Sequence, residues 1–349
     1  MASDPLNPAN PPAPPQPPAK SPATPDPSAK LQTPAFMAVL NELNVNQDQL
    51  TKRQKLIAEI EQALTAKYNS PNRLMSYVMR FGHARTMMQT VDIPNIETVL
   101  NSITGAEQIN LLIHSPGGDG AITEKIVDVC RAHLTGANPK LRVIVPNVAK
   151  SAATILALGT DEIIMGYTSE LGPIDPQVPI IVSGTTQWVS AFAFVEARDK
   201  LIKQIAQASK KKQLALLTQL AGLNIPFTDE MENQIGFAKK TAVTLLNKYM
   251  LVPVYKNATK RKKNAEAIAQ KLLSKELFPV HGHYINGQTA KNMGLQVELL
   301  DKDDPLWRQI WEYYIRCEVQ MNIGMPPGHI KTKLFESGNQ VSLVTQDTP

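Results

Sequence analysis

Cysteine is nearly absent: Cys130 and Cys317 are the only two in 349 residues. They stand far apart and outside any Cys-x-x-Cys spacing, which excludes a disulfide framework and a thiolate zinc site and fits a reducing cytoplasm. No apolar run approaches the roughly 18 residues that a membrane span needs. The first residues are proline-rich where a secretory signal would have an apolar core. The expectation is therefore a soluble, cytoplasmic protein without a transmembrane segment. Aromatic residues make up only 5% of the chain, and none interleaves with the basic runs Lys210-Lys211-Lys212 and Lys260-Arg261-Lys262-Lys263. Despite a net charge of +5, those runs read as solvated helix faces, with no platform for stacking nucleic-acid bases. Neither the Walker spacing nor the dinucleotide fingerprint occurs. His281-Gly282-His283 lacks a third ligand in the sequence, so neither a metal nor a cofactor is expected.

What is present is an apolar fraction of 43%, enough for a substantial core. Its distribution predicts four regions. Residues 1–35 form a disordered tail, since 12 of the 27 prolines lie there among side chains too small and polar to bury surface. Such a tail serves as a spacer or as a proline-rich ligand for a partner's aromatic groove. Residues 36–70 form a helical segment, with Leu50, Ile57, Ile60 and Leu64 on one face. Residues 71–323 form the main domain. Residues 324–349 read as a flexible C-terminal tail. The helices at 36–68 and 304–321, the latter with Trp307, Trp311 and Tyr314 on one face, could pack on their own domain or on a second subunit.

Within the main domain, strand-like runs alternate with helical ones: 73–81, 109–114, 141–145 and 161–165 as strands, 96–103 and 151–158 as helices between them. That alternation predicts an α/β fold with a largely parallel sheet and right-handed crossovers. Functional loops of such a sheet gather beyond the C-terminal ends of its strands. Two loops at that edge stand out. The first, His114-Ser115-Pro116-Gly117-Gly118-Asp119-Gly120, is a tight strand-to-helix turn, and its consecutive glycines also let backbone N–H groups approach a substrate carbonyl. The second, Val148-Ala149-Lys150-Ser151-Ala152-Ala153-Thr154, places a serine at a helix start among small residues. A packing turn looks like this, and so does a turn that exposes a nucleophile beside free N–H groups. After a long polar connection at 166–177, the stretches 188–221, 228–249, 264–277 and 286–295 read as helices.

The motifs resemble a known family. His-Ser-Pro-Gly-Gly at 114–118, Ala-Lys-Ser-Ala-Ala-Thr at 149–154, Gly-Thr-Asp-Glu-Ile-Ile-Met-Gly at 159–166 and Leu-Gly-Pro-Ile-Asp-Pro-Gln at 171–177 are similar to those of the serine dehydrogenase proteinase family. That family has the Clp-protease/crotonase-like fold, a repeated β-α-β superhelix, and is related to the signal peptide peptidases. The resemblance implies Ser151 as nucleophile and the N–H groups of Gly118 and Ala152 as an oxyanion pair, with Gly117 shaping the loop. It also implies a protein or peptide substrate and a homo-oligomeric assembly.

The base is left open, because Asp175 stands where Clp proteases place a histidine. A His near neutral pKa suits a serine, which predicts a permuted triad of Ser151, His281 and Asp175. A Ser151–Lys240 dyad is the alternative and requires Lys240 to be buried so that it loses its charge. His283, Lys200 and Lys203 are further candidates, while Lys150, adjacent to the serine, should point away from it. Two other functions remain open: a catalytically inactive scaffold of the same fold, and a crotonase-like acyl-CoA enzyme, which Ser151 disfavours.

Overall fold

Strands covered on both faces carry apolar residues at nearly every position, and the sequence supplies four such runs. The computed structural model describes residues 35–43, 49–81 and 86–347. In chain order, α1 (Ala35–Leu43) and α2 (Gln49–Tyr68) precede β1 (Asn72–Met79), and α3 (Ile93–Asn101) leads to β2 (Gln108–His114). Next, α4 (Thr123–Ala132) leads to β3 (Lys140–Val145); after the short β4 (Val148–Ala149), α5 (Ala152–Leu158) leads to β5 (Glu162–Met165). Then come β6 (Glu170–Leu171), the hairpin of β7 (Gln177–Val182) and β8 (Thr185–Ser190), and the helices α6 (Ala191–Gln207), α7 (Lys210–Ala221), α8 (Ile225–Lys248) and α9 (Ala258–Leu272). The described chain closes with β9 (Ile285–Asn286), α10 (Gly287–Met293), β10 (Val297–Leu299), α11 (Pro305–Asn322), β11 (His329–Glu336) and β12 (Val341–Asp347).

Seven strands form the main sheet in the order β10-β5-β3-β2-β1-β11-β12. It is parallel from β10 to β1 and antiparallel across β11 and β12. The α/β class with β-α-β repeats and added helices is thus the observed one. Side chains divide by parity, as the period of two requires. Met75, Tyr77, Ile109, Leu111, Val143 and Ile163 join the core under α3, α4, α5, α8 and α9. Leu74, Val78, Leu112, Ile144 and Ile164 join the opposite core, under α2 and α11.

Four expectations are corrected. Of the apolar residues read as one face within 36–68, Leu50 is exposed, whereas Ile57, Ile60 and Leu64 are buried. The apolar faces of α2 and α11 are not left for a second subunit: Ile57, Ile60, Trp307, Ile310 and Tyr313 lie in one core with the sheet. The helix expected from Trp188 onward begins three residues later, because 177–190 is a hairpin turning at Ser183 and Gly184, both at positive φ. Finally, the stretch read as a loose tail from residue 324 holds two strands, β11 and β12, within the described residues. β11 pairs with β1 along Ser76↔Glu336 to Met79↔Lys333, and β12 pairs with β11. The proline-rich segment before residue 35, with the partner read from it, lies outside the described residues.

Burying β11 brings charge inside. Arg53 of α2 donates through Nε to both carboxylate oxygens of Glu336 at 3.1 and 2.9 Å, and the two side chains are 3% and 0% exposed. Tyr313 also donates to Glu336. Removing one partner of such a pair leaves a charge without water or counter-ion. Arg53→Met is therefore expected to destabilise the fold by about 3–5 kcal/mol, read as a large fall in denaturation midpoint. An unchanged midpoint would show that the pair contributes nothing to stability.

Candidate active site

The turn between β4 and α5 is strained where the serine sits. Ser151 has φ 51° and ψ −117°, a backbone conformation that costs a non-glycine residue roughly 1–3 kcal/mol. Its hydroxyl does not cap the helix that it precedes. The surroundings hold it in place. Thr154 Oγ1 donates to Ala149 O at 2.7 Å and accepts the Gly172 N–H at 3.1 Å, which ties the elbow to the loop that leads to Asp175.

The glycine loop lies against this elbow. A Cβ on Gly117, which has φ +105°, would stand 2.8 Å from Ser151 Cβ and 2.9 Å from Lys150 O; one on Gly118, at φ +146°, would stand 2.3 Å from Met88 N. Only glycine fits either place. The Gly117 N–H donates to Ser115 Oγ at 3.0 Å. The Gly118 N–H, by contrast, has no backbone partner among the described residues, and the Ala152 N–H belongs to the first turn of α5, where N–H groups have no partner within the helix.

A second, small sheet explains how a residue far along the chain reaches the serine. β4, just before Ser151, pairs in parallel with β6, and β6 pairs antiparallel with β9. β9 follows directly on the loop 281–284, so that loop is laid beside the elbow. Lys150 fixes it further. Its Nζ donates to Leu171 O, Gly282 O and His283 O at 3.3, 3.4 and 3.0 Å and is paired with Glu170 at 3.2 Å. Burial lowers the Lys150 pKa, and the Glu170 charge opposes that shift. With these partners the lysine serves as a tether.

His281 and Ser151 line the same cavity, of about 940 Å³. Asp175 Oδ1 lies 2.7 Å from His281 Nδ1, and Gln177 Nε2 donates to Asp175 Oδ2 at 2.7 Å. Burial pushes the Asp175 carboxyl upward, but its bond to His281 and the imidazole charge outweigh that, so its pKa is lowered. It stays ionised, able to orient the ring and to stabilise an imidazolium. Lys240 is not part of this group. It is exposed on α8, whose Gln234, Phe237 and Ala238 line the cavity; two residues past Ala238, the helix has turned Lys240 to solvent. The dyad would require that lysine to be buried, and here it is exposed. Lys200 and Lys203 of α6 are exposed as well, and the His283 ring lies against that of Phe278, tilted by 47° with centroids 5.1 Å apart.

Sequence reasoning missed several lining residues: Met87, Gln177, Trp188 and Glu230. A signal existed for Trp188, since Ser183-Gly184 between two β-branched runs is a hairpin pattern. The walls are largely apolar, from Met87, Ile155, Ile174, Trp188 and Phe237. Among the described residues no cluster of three or more His, Cys, Asp or Glu side chains could hold a metal, and no helix is long and apolar enough to cross a membrane.

Comparison with known proteins agrees with the motifs. The family model of the ClpP-like SDH-type serine proteinases matches residues 35–187, a span that holds Ser151, both glycines and Asp175 but not His281. Two uncharacterized proteins of Methanocaldococcus jannaschii are similar. One is 37% identical over 105 residues, 28% of this chain and 35% of its own length. The other is 35% identical over 91 residues, 25% of this chain and 30% of its own length. The chain thus spans about a third of the curated relatives it matches. Among solved structures, a serine-to-alanine mutant of the 1510-N membrane-bound stomatin-specific protease aligns over 64% of this chain and 79% of its own, with 13% identity and a TM-score of 0.36. A ClpP1 mutant from Listeria monocytogenes aligns over 70% and 99%, with 12% identity and a TM-score of 0.28.

Proposed function

We propose, from the match of residues 35–187 to the family model of the ClpP-like SDH-type serine proteinases, that this protein is a serine endopeptidase. The observation that carries the proposal is the convergence of an uncapped serine on a strained elbow, a glycine loop and a carboxylate-bound histidine on one cavity. In this reading His281 takes the Ser151 proton through Nε2 while Asp175 holds Nδ1–H. Ser151 Oγ attacks the peptide carbonyl, and the N–H groups of Gly118 and Ala152 receive the oxyanion. His281 then returns the proton to the leaving amine, and water repeats the sequence on the acyl-enzyme.

The apolar walls suit a substrate segment with a large aliphatic or aromatic side chain. The proposal includes a homo-oligomer working in the cytoplasm, a setting with which two buried free thiols agree. Incubation with a fluorophosphonate, followed by digestion and mass spectrometry, tests the nucleophile. The adduct is expected on the peptide that contains Ser151. No adduct, or one on another serine, would refute the assignment.

A further inference from the structure

The two glycines of the loop are its softest stretch, yet an oxyanion hole works only when its donors are already in place. The stiffness has to come from neighbours. One neighbour is Met88, which runs beside the loop as a short parallel bridge to Gly118. The Met88 N–H donates to Gly117 O at 2.8 Å, and the Asp119 N–H donates to Met88 O at 2.9 Å. Gly118 is therefore held where Met88 is held.

Met88 in turn belongs to a strip that ends in a single turn of 3-10 helix at Thr90–Asp92. Asp92 fixes that strip. Its Oδ2 accepts the Gln89 N–H at 2.8 Å and the Tyr77 hydroxyl, and Lys333 Nζ donates to Oδ1 and Oδ2 at 2.6 and 2.8 Å. Asp92 and Lys333 are each 1% exposed. Burial, with the Asp92 charge beside it, raises the Tyr77 pKa well above the usual range, so the phenol remains a donor. Lys333 stands on β11, opposite Met79 in the register with β1. A buried ion pair is a poor source of net stability compared with apolar side chains of the same size. What it does supply is a fixed position for the atoms bonded to it.

We propose that Lys333 and Asp92 are positioning residues for the oxyanion loop: the late strand β11 holds Asp92, Asp92 holds the strip at Gln89, and Met88 holds Gly117 and Gly118. The proposal rests on the peptidase reading above. Its test is the paired variant Asp92→Asn with Lys333→Met, which removes both charges and strands neither inside the fold, alongside the conservative Lys333→Arg.

In the paired variant kcat is expected to fall about ten- to a hundredfold with KM within about twofold. Affinity for a peptide boronate, whose adduct with Ser151 is tetrahedral, should fall in parallel, and binding of a cleaved product peptide should not change. Lys333→Arg should recover most of kcat. Hydrogen exchange should quicken at 86–92 and 115–120 while the strand 108–113 keeps its protection. Exchange that rises evenly across the sheet, or kcat and product binding lost together, would reduce the pair to a stabilising contact and overturn the proposal. If the wild-type protein neither cleaves peptides nor takes up the fluorophosphonate, the peptidase reading falls, and the exchange comparison still decides whether β11 governs the loop.

Discussion

Replacing Ser151 by alanine is expected to lower peptide hydrolysis by about 10⁴- to 10⁶-fold and to abolish fluorophosphonate labelling, while circular dichroism stays that of the wild type. The hydroxyl caps no helix, so its loss removes a reactive group without removing a structural bond. A comparison between two inactive variants separates chemistry from strain. Ser151→Ala keeps a Cβ at φ 51°, whereas Ser151→Gly releases it. The gain from released strain exceeds the greater backbone entropy that glycine loses on folding, so Ser151→Gly should be more stable than Ser151→Ala by about 1 kcal/mol. Thermal or chemical denaturation measures that difference directly. A glycine variant that is the less stable of the two would show that the elbow stores no strain, and retained hydrolysis in either variant would remove Ser151 from the chemistry.

The second large effect concerns the base. His281→Ala should reduce kcat by about 10²- to 10⁴-fold, and Lys240→Ala should leave it within about twofold. Asp175→Asn should fall in the same range as His281→Ala, because an amide at that place no longer selects the ring tautomer with hydrogen on Nδ1 or offsets the charge of the imidazolium. The distinction from a structural role lies in additivity. If Asp175 acts through His281, the double variant His281→Ala with Asp175→Asn is no slower than His281→Ala alone. Full activity in His281→Ala, or a collapse in Lys240→Ala, would reverse the assignment. The steady-state rate on a peptide with an aromatic or aliphatic side chain before the cleaved bond is the measurement.

Much of this site could be read before any coordinates. Its two loops follow strands of strong apolar character, and such strands announce both their own position and the edge at which their loops lie. Gly117 and Gly118 were readable for the same reason that they are needed: side chains there would collide with Ser151 Cβ and the Met88 backbone. Choosing between His281 and Lys240 was harder. The choice depends on two paired residues, Ile285 and Asn286 of β9, held against β6, and a strand that short has no periodicity to detect. The exposure of Lys240 is hidden from the sequence for a different reason. Its helix was plain, but which side of that helix meets the cavity is set by Ala238 and Phe237 packing across the fold, and local spacing does not reveal it.

The C-terminal strands show the same limit. β11 alternates Lys331, Lys333 and Phe335 with Thr332 and Leu334, and buried lysines disguise a central strand as a polar tail. Only the carboxylate of Asp92, supplied by a distant turn, makes Lys333 acceptable inside. Pattern reading assigns lysine to solvent because it treats each residue alone, whereas burial here is a property of the pair.

The sheet order carries a consequence for synthesis. β1 lies between β2 and β11, so one of its edges closes early and the other waits until β11, far along the chain, has left the ribosome. During that interval the β1 edge exposes unpaired N–H and C=O groups, the kind of edge that recruits foreign strands. Asp92 waits as well, without its cation, and the glycine loop without the support that passes through Met88. The support of the glycine loop is therefore complete only once β11 has been made and has paired with β1.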